Sequence, residues 1–207
     1  MDKKQKIKDF WNKEYNDYDL HMKETNHYNA QSEIIESLKD EIKSPILDIA
    51  CGSGFLTEIL FKKYKDVQAN DFSLSMINVA QKRLPEVLFT NDDAETLESY
   101  KQKTYNTVIV NNLFFYIQNR DMAIKRWKEL LKIDGKIILI EEYPFLITKE
   151  KNFSEKEKEL LSIIDPISPE EIKNYMINNG FIFIKDVFVP IDSIHNLYGL
   201  VFHIPKF

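Results

Sequence analysis

The run ILDIACGSGFLTEIL, residues 46–60, is the first place where residue types and spacing suggest chemistry. A strand-like stretch, Ile46 to Ala50, gives way to Gly52 and Gly54 and then to a helical pattern, Phe55 to Tyr64. Such a turn lets backbone approach a ligand at the carboxyl end of a strand. A pyrophosphate needs a Gly-x-Gly-x-x-Gly turn opening a helix, yet Thr57 holds the third glycine position. Asp48, at the mouth of the loop, repels a pyrophosphate and favours a ligand bearing an ammonium group. Asp71 follows Gly52 by 19 residues (71 minus 52), the spacing at which a carboxylate reaches ribose hydroxyls. The ligand these residues describe has a nucleoside, free ribose hydroxyls, an ammonium group and no phosphate. S-adenosylmethionine is such a molecule.

A sheet has to position these groups. From Pro45 onward, short β-rich runs alternate with helical patterns, which predicts βαβ units and a mainly parallel sheet. Strands are expected at Ile46 to Ala50, at Val67 to Ala69 with Asp71 at its end, at Val87 to Thr90, Tyr105 to Val110 and Lys136 to Glu141. Helices are expected at Phe55 to Tyr64, at Ser73 to Leu84 with Ser73 as its cap, and at about Arg120 to Leu131. Ser168, Pro169, Glu170 and Glu171 open a further helix with a capping box and a proline in the first turn. Phe181 to Val189 and Leu197 to Ile204 are strand-like. Tyr143 to Ile167 is an insertion whose SEKEKEL stretch reads as a solvated helix face. The first 44 residues place Phe10, Trp11, Tyr15, Tyr18 and Tyr28 among charges before a helix from about Ala30 to Ile42. The expected organisation is one domain: a helical, lid-like segment over 1–44, a cofactor core over 45–141, and the insertion with C-terminal strands over 142–207.

Residues 45–141, about half the chain, resemble the class I S-adenosylmethionine-dependent methyltransferases. Asp48-Ile-Ala50-Cys-Gly52-Ser-Gly54 is similar to that family's Asp-x-Gly-x-Gly-x-Gly loop, with Ala50 in place of the first glycine. ANDFSLSMINVAQKRL is similar to its second strand and helix, LFTNDDAETL to its third-strand loop, YNTVIVNNLFFYI to its fourth strand and LKIDGKIILIEE to its fifth. The resemblance implies a Rossmann-like α/β fold with strand order 3-2-1-4-5-7-6 and an antiparallel seventh strand, for which Leu197 to Ile204 is the candidate. It also implies a cofactor site of Asp48, Ala50, Gly52, Gly54, Asp71, Phe72, Asp93, Ala94 and Asn111. Asp93 stands where an acidic residue meets the adenine amino group, with Asp92 as the alternative one residue away. The implied reaction is methyl transfer from S-adenosylmethionine to a small-molecule acceptor. A nucleoside-binding protein without catalysis and a nicotinamide-dependent oxidoreductase are the competing readings, the latter opposed by Asp48 and Thr57.

No catalytic residue is assigned. Methyl transfer from a sulfonium depends mainly on alignment, and a base matters only where the acceptor must lose a proton. Phe114, Phe115 and Tyr116 either meet a substrate or fill core, and Trp11, Tyr15, Tyr18 and Tyr28 either cover the cofactor or simply pack. Glu141, Glu142 and Tyr143 end a strand where an acceptor would sit, and His195 is the one late histidine near a rim. The single cysteine, Cys51, reads as a small residue in a tight turn, and the four histidines lack metal-site spacing, so neither a disulfide nor a metal is expected. The formal charge of -5 with interspersed signs argues against nucleic acid. MDKKQKIKDF has no apolar stretch behind it and no run approaches a membrane span, so a cytoplasmic protein without a membrane partner is expected.

Overall fold

The computed structural model describes residues 2–145 and 153–205. Its strands are Ile46–Ile49 (β1), Val67–Asp71 (β2), Leu88–Asn91 (β3), Tyr105–Asn111 (β4), Leu131–Tyr143 (β5), Ile182–Pro190 (β6) and Asn196–His203 (β7). They form one sheet in the order β3-β2-β1-β4-β5-β7-β6, with β7 antiparallel to both of its neighbours and the other pairings parallel. This is the order implied by the resemblance. β1 is buried at every position, because helices cover both of its faces and a strand so placed needs no polar side.

The helices are Lys3–Glu24 (α1), His27–Ser37 (α2), Phe55–Tyr64 (α3), Leu74–Arg83 (α4), Arg120–Leu130 (α5), Glu155–Leu161 (α6) and Pro169–Asn178 (α7). On one face, Leu47, Val108, Val110 and Leu139 pack with Trp127 of α5, Ile172 and Met176 of α7, and Phe10 of α1. On the other, Ile46, Ile109, Ile138 and Ile140 pack with Ile34 and Leu38 from the α2 region and Leu56 and Leu60 of α3. Ser73 caps α4 by accepting from Met76 N at 3.2 Å, and Ser168 with Glu171 closes the expected capping box on α7.

Two elements differ from the sequence expectation, and the helical N-terminal segment takes definite bounds. The helix expected over Ala30 to Ile42 runs from His27 to Ser37, and Lys39–Glu41 forms a single 3-10 turn. Its apolar repeat, Ala30, Ile34 and Leu38, is already complete there, and the tighter turn brings Ile42 into the core before β1. β5 is longer than Lys136 to Glu141: Leu131 pairs with Tyr105 and Lys136 with Thr107, so the intervening residues bulge from the ladder around Asp134 at φ 64°. The aromatic-rich start is one 22-residue helix, α1, whose first turn holds lysines and no acid. Lysines oppose the helix dipole at that end; ion pairs of Lys3 with Asp165 and of Lys4 with Asp93 and Glu95 offset this. Of the insertion, residues 146–152 lie outside the described residues. No helix among the described residues is long and apolar enough to cross a membrane.

Candidate functional site

Strand order reverses between β1 and β4, and the loops leaving neighbouring strands diverge there, opening a crevice beyond their carboxyl ends. A cavity of about 660 Å³ occupies this position and continues along the sheet toward the turn between β6 and β7. α1 supplies wall along its length, from Lys4 through Trp11 and Tyr18 to His21.

Over β1 and β2 the wall is the loop that the sequence singled out. Ala50 (φ 59°), Gly52 (φ 54°) and Gly54 (φ 82°) all adopt left-handed backbone. That conformation costs a side chain about 1–2 kcal/mol, so Ala50 carries strain that the glycines avoid. Gly52 N donates to Asp71 Oδ2 at 2.9 Å and Ser73 N to Asp71 Oδ1 at 2.8 Å. Burial pushes the Asp71 carboxyl up to about 6, although these N–H donors favour its ionised form. Phe72 lies beside it in the wall.

Asp93 also lines the cavity, with Oδ1 accepting from Glu95 N at 2.9 Å and Oδ2 from Lys4 Nζ at 2.7 Å. Ala94 is next to it, whereas Asp92 turns away to accept from Ser99 N at 2.8 Å. Asn111 lines the cavity at the end of β4, and its buried Oδ1 has no hydrogen-bond partner. An unpartnered buried acceptor is costly unless a donor arrives, so this atom fits a ligand with an N–H or O–H group.

Two expected site residues stand elsewhere. Asp48 is fully buried beneath the loop, where Oδ2 accepts from Thr57 Oγ1 at 2.6 Å and Oδ1 has no partner. Burial pushes its carboxyl up to about 7 and the nearby Asp71 adds to the effect, against the Thr57 hydrogen bond. Gly54 faces α4, and a Cβ there would lie 3.0 Å from Ala80 Cβ. Its lack of a side chain serves the approach of α4 to the loop. Cys51 is buried, and burial pushes its thiol well above the ordinary range, consistent with a packing residue.

At the other end the wall comes from distant elements. The turn Thr25-Asn26 brings His27 to the start of α2, with Asn26 in left-handed backbone at φ 65°. His27 Nε2 lies 3.1 Å from Glu142 Oε2 and Nδ1 lies 2.7 Å from Thr25 Oγ1. Glu142 N donates to Asn112 Oδ1 at 3.0 Å, which ties the carboxylate's backbone to the turn after β4. His195 Nδ1 meets Asp192 Oδ2 at 2.7 Å inside the β6–β7 turn. Backbone and side-chain donors from His195 hold the Asp192 carboxyl far below its ordinary range.

Residues that the sequence left between two readings divide. Phe115 and Tyr116 line the cavity, while Phe114 packs in the core 6.2 Å from Trp127. Trp11 and Tyr18 line it, while Tyr28 stacks on Phe55 at 3.7 Å and binds Asp19. Glu141 is buried under the β4 turn, accepting from Leu113 N at 3.1 Å and Phe114 N at 2.8 Å. Its carboxyl is pushed up to about 8 by burial. His21 and His27 were not singled out in the sequence; no local spacing links His27 to Glu142, 115 residues away.

The fold is that of the class I S-adenosylmethionine-dependent methyltransferases, and residues 46–135 match the family described as a methyltransferase domain. Among curated relatives, the chain is similar to malonyl-[acyl-carrier protein] O-methyltransferase of Halalkalibacterium halodurans, 32% identical over 48% of this chain and 39% of that protein. It is also similar to demethylmenaquinone methyltransferase of Thermotoga maritima, 25% identical over 54% of this chain and 49% of that one. The matched region thus spans less than half the length of either relative. Among solved structures, an S-adenosylmethionine-dependent methyltransferase from Thermotoga maritima superposes with a TM-score of 0.74 at 18% identity, covering 97% of this chain and 100% of that chain.

Proposed function

We propose that the protein transfers a methyl group from S-adenosylmethionine to a small organic acceptor in the cavity. The observation that carries this reading is the unphosphorylated-nucleoside character of the strand-loop end. Asp71 and Asp93 face the ligand space there, and Asn111 offers a free acceptor. The wall lysines among the described residues, Lys4 and Lys156, are each paired with carboxylates, which leaves a dinucleotide's phosphates without a cation. In this reading Asp71 holds the ribose, Asp93 and Ala94 border the adenine, and Gly52 lets the loop backbone come close. Asn111 accepts from the ammonium group, and buried Asp48 favours that positive charge from beneath the loop. Bound there, S-adenosylmethionine supplies a methyl group activated by its sulfonium. The chain's part is to align the acceptor and, with Trp11 and Tyr18 of α1, to exclude water.

The similarity to two methyltransferases with different acceptors supports the reaction and leaves the acceptor to be argued from the cavity. Thermal unfolding with S-adenosylmethionine, S-adenosylhomocysteine or NAD tests the reading. A ligand at about 100 times its Kd adds roughly 2.7 kcal/mol, a rise of about 5–10 °C. Both sulfur nucleosides are expected to give it and NAD is not; stabilisation by NAD alone would overturn the assignment.

A further inference from the structure

We propose that Lys4, on the first turn of α1, is a cofactor-binding residue whose ammonium group donates to a ring nitrogen of the adenine, beside the amino group that Asp93 accepts. This rests on the methyl-transfer reading and adds a contact from outside residues 46–135, the stretch matched by the family. Lys4 Nζ lies 2.7 Å from Asp93 Oδ2 and 3.0 Å from Glu95 Oε2, and all three residues line the cavity. An ammonium group has three N–H donors. The two carboxylates take two of them, which leaves one. A carboxylate oxygen has two lone pairs, and among the described residues Asp93 Oδ2 spends one, on Lys4. A free donor and a free acceptor therefore stand side by side in the wall. Adenine has the complementary edge, an amino donor next to a ring nitrogen that only accepts.

The surroundings separate this role from a plain fastening of the helix. Glu95 is buried, and its other oxygen accepts from Gln118 N at 2.9 Å. That carboxylate is fixed from behind and holds Nζ in place while Asp93 shares its oxygen with a ligand. Burial alone would lower the Lys4 pKa, but the hydrogen bonds to Asp93 and Glu95 and their charges outweigh it and raise it, so the third proton stays on Nζ. The same turn is already fastened away from the cavity by Lys3 and Asp165. A lysine in a first turn opposes the helix dipole, so α1 itself does not call for a second one here. Ile7, one turn along from Lys4, packs in the cluster that contains Ala94, and with Phe72 it lines the cavity. Apolar surface is thus at hand for the faces of a flat base. Two carboxylates against one ammonium leave the edge negative, which suits the partly positive amino hydrogens and turns a phosphate away.

The test is titration calorimetry on the full chain with S-adenosylhomocysteine and its 1-deaza and 7-deaza analogues, in each of which C–H replaces one of the ring nitrogens flanking the amino group. Lys4→Met keeps the stem and removes the donors. Wild type is expected to bind one of the two analogues about tenfold more weakly than S-adenosylhomocysteine. Lys4→Met should lose about tenfold on S-adenosylhomocysteine and on the analogue that wild type binds well. On the other analogue it should lose little, because the partner atom is already gone. Lys3→Met, which unties the same turn outside the cavity, should bind all three ligands as wild type does. Thermal melts confirm that each variant is folded, and Lys4→Gln, too short to reach the same point, repeats the comparison if Lys4→Met does not fold.

Equal binding of the three ligands by wild type overturns the contact. A Lys4→Met loss of the same size on all three, or a loss as large from Lys3→Met, also overturns it, because either marks a fastening of the helix. Tighter binding by Lys4→Met overturns it as well, since Lys4 then competes with the base for Asp93. In each of these cases the cofactor reading stands. Failure of wild type to bind S-adenosylhomocysteine overturns the reading beneath it.

Discussion

At the strand-loop end of the cavity, the wall opposite α1 is drawn mainly from the carboxyl ends of four strands, β1 to β4, and the loops that leave them, between residues 50 and 111. At the histidine end, His27 and Glu142 are 115 residues apart, and Asp192 and His195 arrive from the turn between two antiparallel strands. The first end is made by a repeating unit: strand, turn, helix, with the chemistry placed at each turn. The second is made by whichever elements happen to finish near β5. A nucleoside pocket of the first kind is set by local chain geometry, whereas a pocket of the second kind can change its residues without disturbing the sheet.

Substitutions can break or sharpen this contrast. Asp71→Ala should have the largest effect, weakening S-adenosylhomocysteine by about 1.5–3 kcal/mol through loss of charged hydrogen bonds to ribose, roughly 10- to 150-fold in Kd by calorimetry. The histidine end should be undisturbed, with the His27 ring resonances unshifted in NMR; a shift there as large as that at Gly52 would mean that the two ends are not separable. Asp48→Asn should act on stability. The folded carboxyl is pushed up to about 7 by burial from a model value of 3.8, so the folded state retains a proton that the unfolded state has released. The contribution of Asp48 to stability is therefore greatest below about pH 4 and falls as pH rises toward 7. Asn removes that cost while still accepting from Thr57, so the variant should be more stable by about 2 kcal/mol at pH 8 and no more stable at pH 4, as thermal melts at the two values would show. A gain at both values would remove the buried charge as its cause. The smallest effect is expected from Ala50→Gly, which relieves the left-handed backbone at φ 59°. Greater freedom of the unfolded chain partly offsets this, leaving a gain of about 0.5–1 kcal/mol in denaturant unfolding.

The strand order was implied by the family resemblance, and the place of Asp71 was legible because βα units have nearly constant length, so an acid 19 residues past Gly52 falls at the end of β2. The resemblance named Asp93 with Asp92 as the alternative, and only the coordinates separate them, Asp93 lining the cavity and Asp92 turning away to Ser99, since a one-residue shift in a turn reverses which side chain faces inward. Asp48 was placed at the loop mouth for a related reason. β1 is apolar on both faces, so nothing in Ile46-Leu47-Asp48-Ile49 reveals that the third side chain points toward Thr57 of α3. Gly54 shows the same limit, as a glycine needed for a ligand and one needed for Ala80 look alike in sequence. The histidine end was hidden because His27 meets Glu142 only through the turn after α1 and the length of β5, both of which extended past or departed from their expected boundaries.

α1 borders both ends of the cavity, with Lys4 over Asp93 at one and His21 beside His27 at the other. Its inner face buries Ile7, Phe10 and Met22, and its outer lysines and acids are tied to α6, α4 and the β3 loop. Under the methyl-transfer reading, a helix tied at both ends in this way spans the nucleoside end and the opposite end of the cavity, so a displacement of α1 as one body would expose the two together.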